Sequence, residues 1–167
     1  MRSIPALVSA CLLLSFSGQS YAVGCVVSNV VNPSFVPLPQ LQASQPTAQG
    51  SFDVICDKTT DLLNVLPVNG QLNLVISLGA GASNDYNNRH SGSVGPTYNL
   101  FTDSGRTQVW GNGNSNGTVT LSRTMTFGLT EFSKTEHFDV YAKVQAQIQK
   151  ASAGLTYSDT LGINVSY

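Results

Sequence analysis

Only two histidines, His90 and His137, offer an imidazole for acid–base chemistry anywhere in this 167-residue chain. His137 sits beside Glu136 and two residues before Asp139, a grouping that with a serine would suggest a nucleophilic triad. No nucleophile-elbow sequence accompanies it, so the expectation is a solvated histidine just before a strand. His90, in the polar stretch NNRHSG, is expected in a loop. Two histidines without motif spacing make no zinc site. Asn84, Asp85 and Asn87 carry oxygen atoms suited to calcium but lack the spacing of an EF-hand loop, so a polar turn is expected. The run GNGNSNG at 111–117 has neither the lysine nor the strand-to-helix setting of a phosphate loop and reads as a flexible connection. Trp110 is either an exposed ring for stacking on sugar or an aromatic of the core. Asn116-Gly117-Thr118 and Asn164-Val165-Ser166 match the glycosylation sequon. No catalytic, cofactor-binding or metal-binding set emerges, and the chain is not expected to be an enzyme.

Cysteine chemistry says more. Arg2, the apolar run Ile4–Phe16 and the small residues ending at Ala22 have the three-part layout of a secretory signal peptide over residues 1–22. The run is shorter than the roughly 20 apolar residues a membrane span needs, and no second run follows. The mature domain is therefore expected to be 23–167, with no membrane span. Cys11 falls inside the leader. A lipid on Cys25 would need a large aliphatic residue where Ala22 stands, and would leave Cys56 alone. In an oxidising compartment Cys25 and Cys56 read as one disulfide, whose closed loop would contribute about 3.5 to 4 kcal/mol in the chain-entropy model. Two buried free thiols are the alternative.

The elements that must position these residues are strands. Phe52, Val54 and Cys56 alternate with Ser51, Asp53 and Ile55; Leu72, Leu74, Ile76 and Leu78 alternate with Asn73, Val75 and Ser77. Tyr98–Thr102 and Gln108–Trp110 read as strands, and Met125, Phe127 and Leu129 share a face. The clearest strand is 138–148, with Phe138, Val140, Ala142, Val144, Ala146 and Ile148 towards the core. The chain closes on Leu161, Ile163, Val165 and Tyr167, alternating with polar residues. Between these lie Pro33–Pro39, the polar stretch 79–96, Asn69-Gly70 and the GNGNSNG run, all turn chemistry. Asp61–Val68 is apolar where a polar link is expected, and reads as a further short strand or a cover over one end of the core. Short strands divided by such turns predict one all-β sandwich or barrel. Charged residues make up only 10% of the chain, and no basic stripe exists, so nucleic acid is excluded as a partner class.

Several short motifs follow one another along the chain: Cys25, then Gly50-Ser51-Phe52-Asp53-Val54-Ile55-Cys56 in the form G-x-x-x-V-x-C, then LVISLG at 74–79, Arg89, Tyr98–Asp103, Trp110-Gly111, Val140–Val144, Gly154–Thr160 and Val165–Tyr167. Their order resembles the spore coat protein U family, which includes subunits of Csu-type archaic chaperone–usher pili. The resemblance covers nearly the whole mature chain. Two positions depart from it: Pro33–Leu38 replaces F-G-x-Y, so the first strand and loop are expected to differ. Only Val23 and Gly24 stand before Cys25, where members that polymerise carry a strand-forming extension.

The resemblance implies an immunoglobulin-like antiparallel β-sandwich that is incomplete, one strand being supplied by a chaperone or a neighbouring subunit. It implies a periplasmic chaperone, an outer-membrane usher and other pilus subunits as partners, no cofactor, and export to the cell surface. It makes Trp110 a core or lid aromatic. The expected function is a structural or adhesive pilus subunit assembled by donor-strand exchange; a non-polymerising secreted coat, matrix or carbohydrate-binding protein of the same fold is the alternative. The face Leu161, Ile163, Val165 and Tyr167 is expected to border the acceptor groove. The short stretch before Cys25 suggests a subunit that accepts a strand without donating one, and so a place at the fibre tip.

Overall fold

The computed structural model of the protein describes residues 22–35, 45–59, 70–90, 95–115, 117–128, 130–145 and 158–167. Among the described residues, β-branched and aromatic residues on alternate positions give eight strands: β1 (Ala22–Val31), β2 (Thr47–Thr59), β3 (Gly70–Leu78), β4 (Arg89–His90), β5 (Thr97–Phe101), β6 (Leu121–Phe127), β7 (Ser133–Val144) and β8 (Ile163–Ser166). One 3-10 turn, Gly81–Ser83, lies between β3 and β4. Among the described residues there is no α-helix.

The strands form two antiparallel sheets, β1-β2-β7-β5-β4 and β6-β3-β8, which make an immunoglobulin-like sandwich. Its backbone is the long β2–β7 pair, running from Thr47 opposite Lys143 to Asp57 opposite Ser133. Every second residue of these strands enters the core: Phe52, Val54 and Cys56 from β2, Phe138, Val140 and Ala142 from β7. Leu74, Ile76 and Leu78 of β3 and Met125 and Phe127 of β6 come from the smaller sheet. Phe52 stacks on Phe138 with ring centroids 5.3 Å apart and lies 6.0 Å from Trp110. At Gly50 the chain leaving β1 crosses over β2. A side chain there would meet the Val31 carbonyl and the Pro33 ring, which explains the glycine that opens this strand's motif.

Several expectations shift. β7 begins five residues before the expected start, so His137 lies within a strand rather than ahead of one. His90 belongs to the two-residue strand β4, opposite Thr97, not to a loop. Gln108–Trp110 is no strand; Val109 and Trp110 make only isolated bridges, to Phe101 and Val119. The GNGNSNG connection is held by its own side chains: the Asn112 carbonyl oxygen accepts from the Asn114 and Ser115 amides. The expected leader, apart from Ala22, lies outside the described residues. So do Asp61–Val68, Leu129, Ala146, Ile148 and the Gly154–Tyr157 part of the last motif.

Candidate functional site

β1 and β8 are edge strands, one in each sheet. The inward residues of β1, Val23, Cys25 and Val27, pack on the core yet stay half-buried, as do Leu161, Ile163 and Val165 in and just before β8. On β6, the other edge of the smaller sheet, Met125 and Phe127 are 0% and 2% exposed, while Leu121 at its start is half-buried like the β8 residues. Tyr167 follows β8 and is 57% exposed. Beyond β8, the strand's outer N–H and C=O groups have no ladder partner among the described residues, the condition under which a strand edge invites another.

Cys25 and Cys56 stand directly opposite each other in the β1–β2 ladder and are joined as a disulfide, with Cα atoms 4.1 Å apart. Cys56 is fully buried, so the bond staples the edge strand to the core strand beside it. Both strands belong to the same sheet.

A second constellation lies where β3 ends. Arg89 is fully buried, and its guanidinium donates to three backbone carbonyls: Gly79 (3.1 Å), Tyr86 (2.8 Å) and Trp110 (2.6 Å). Burial lowers the Arg89 pKa from its ordinary value; Tyr98, Tyr86, Asp159 and Asp85 act in the opposite sense. The fork geometry of guanidinium suits three separate acceptors in a way that an ammonium does not. Trp110 is fully buried and donates its indole N–H to the Ile76 carbonyl at 3.0 Å. A ring so placed cannot stack on a sugar. Nearby, the Tyr98 hydroxyl donates to the Asp159 carboxylate at 2.6 Å. Burial, and after it that hydrogen bond, push the Tyr98 hydroxyl far above its usual range, so it remains a donor. Asp85 accepts from the Asn87 amide and the Asn88 side chain, which uses its oxygens in the turn itself.

On the outer face of the larger sheet, Asp53 of β2 accepts from Asn29 of β1 at 2.7 Å and contacts His137 Nδ1 of β7 at 2.6 Å. His137 Nε2 is 3.7 Å from Asp139. His137 is thus bound to carboxylates on a flat, exposed sheet face, with Asp53 rather than Glu136 as its main partner.

The profile of the Spore Coat Protein U domain matches residues 10–164. The chain belongs to the Spore Coat Protein U domain family. A search of curated proteins returns no match. Among solved structures, similarity is found to the CsuC–CsuE chaperone–tip adhesion subunit pre-assembly complex from the archaic chaperone–usher Csu pili of Acinetobacter baumannii. The identity is 20% and the TM-score 0.49, over 87% of this chain. This chain spans about 40% of the length of that one.

The Spore Coat Protein U motifs scattered along the sequence meet in space. Gly79, Arg89, Tyr98, Trp110 and Asp159 surround one end of the sandwich, joined by the hydrogen bonds above. They are structural in kind: they satisfy backbone carbonyls and join loops. The Leu161–Tyr167 face runs on from this node along the edge of the smaller sheet. Sequence reading missed the Asn29–Asp53–His137 cluster. Nothing in the local sequence of Asn29 or Asp53 pairs them; only the β1–β2 register does.

Proposed function

We propose that this Spore Coat Protein U domain is a structural or adhesive subunit of a surface pilus, completed by a strand from another chain. The observation that carries the proposal is the edge strand β8: the inward residues in and just before it, Leu161, Ile163 and Val165, stay half-buried beside an outer edge that has no ladder partner among the described residues. A strand laid beside β8 would pair with its outer edge and cover its half-buried inward residues, which is β-strand addition. Burying three or four large apolar side chains of such a strand is worth about 5 to 10 kcal/mol. That is comparable to the roughly 5 to 15 kcal/mol that holds a whole domain folded. A periplasmic chaperone is the first donor in this reading, an outer-membrane usher handles the complex, and a neighbouring subunit is the final donor. Export by residues 1–22, with the domain at 23–167, belongs to the same proposal. So does a terminal place in the fibre.

Co-purification from periplasm tests it. The proposal expects a chaperone in near one-to-one ratio with the subunit, lost when the subunit is polymerised. Recovery of the chain as a stable, lone monomer would sink it.

A further inference from the structure

The edge strand β8 is four residues long, and its ladder with β3 has only four register pairs, from Leu78 opposite Ile163 to Val75 opposite Ser166. A ladder so short, with one side unpaired among the described residues, has little of its own to fix register. A two-residue slip would keep the same face inward, because side chains alternate with period two. Something outside the ladder must hold it.

We infer that Asp159 is the positioning residue that sets where β8 begins, and hence how its free edge is presented. The inference rests in part on the strand-accepting reading above. Asp159 Oδ1 accepts from the Ala82 amide at 3.1 Å and from the Thr160 amide at 2.8 Å; Oδ2 accepts from the Tyr98 hydroxyl at 2.6 Å. One carboxylate therefore ties together the 3-10 turn after β3, strand β5 of the larger sheet, and the residue that leads into β8. The fit depends on a glycine. Gly81 has φ +70°, and a Cβ there would collide with the Asp159 carboxylate, so the side chain occupies space that only glycine leaves. Three residues on, the Gly79 amide donates to the Gly162 carbonyl at 2.8 Å, one step before β8 starts. Asp159 supplies the anchor, and the Gly79–Gly162 bond carries it into the ladder. Arg89 favours the arrangement electrostatically, since Asp159 is among the groups that support its charge.

Native-state hydrogen exchange on the exported full chain reads this directly. In Asp159→Ala, peptides covering β8 should exchange roughly tenfold faster or more, as loss of a charge-assisted hydrogen bond predicts, while β2 and β7 keep their protection. Asp159→Asn retains an acceptor for the two backbone amides and should restore most β8 protection. Gly81→Ala, which displaces the carboxylate without changing it, should mimic Asp159→Ala. Unchanged β8 exchange in Asp159→Ala would overturn the inference, and so would a loss spread evenly over β2, β7 and β8. Chaperone co-purification of the same variants separates the two readings. If the unaltered chain binds no chaperone, the proposed function fails, and the exchange pattern still decides the role of Asp159.

Discussion

Asp53 and His137 titrate against each other on the outer face of the larger sheet. The hydrogen bond from Asn29, followed by that from His137, lowers the Asp53 pKa below its ordinary 3.8; the bond to Asp53 raises that of His137 above its ordinary 6.5. Asp139 adds a second carboxylate on the far side of the ring. The His137 contribution to stability is complete below about 6.5 and is lost as pH rises through its raised folded value. The Asp53 contribution is present above about 3.8 and is lost as pH falls through its lowered folded value. The cluster therefore stabilises most in mildly acidic solution. Thermal unfolding at about pH 5.5 and about pH 9 should show a larger gap between wild type and His137→Gln at the lower pH, a small one given the exposure of the ring. An identical gap at both values would show that the pair is not coupled to folding.

Strands were legible where one face is buried and the other is polar. Leu74, Ile76 and Leu78, or Phe138, Val140 and Ala142, show the period-two pattern because their neighbours are solvated or lie on the outer face. β1 hid from that test. Val26, Val30 and Val31 are more than half exposed, so AVGCVVSNVV is apolar on both faces and has no alternation to read. β4 is too short to carry a period. The node around Arg89 joins residues 21 and 61 positions apart, Arg89 to Trp110 and Tyr98 to Asp159, and only folding brings them together. The candidate groove was half legible: the apolar face of Leu161, Ile163 and Val165 is in the sequence, but its partial cover appears only in the fold. At this scale Ile163→Asp and Val165→Asp should abolish chaperone co-purification or lead to degradation, because a carboxylate would line the groove. Asn164→Asp, outward on the same strand, should be tolerated. Normal secretion and assembly of the first two would count against the groove.

At the scale of the whole sandwich, the described strands form an unequal pair of sheets, five against three, with the same Spore Coat Protein U node closing one end. A strand received beside β8 would join one subunit to the next through the smaller sheet. Gold labelling of assembled fibres reads the subunit's position: label at tips fits the proposed terminal place, and label along the shaft refutes it.

The disulfide acquires a different meaning under load. It joins neighbours within the larger sheet, so it does not clamp the two sheets together. What it does withdraw from stretching is the chain between Cys25 and Cys56, a separation of 31 residues. At about 3.5 Å per extended residue, that is roughly 110 Å of slack that the oxidised domain cannot release when it is pulled. Single-molecule pulling with and without reductant should show this difference in contour length per unfolding event. Reduction would lengthen the extension by that amount and leave the rest of the unfolding unchanged.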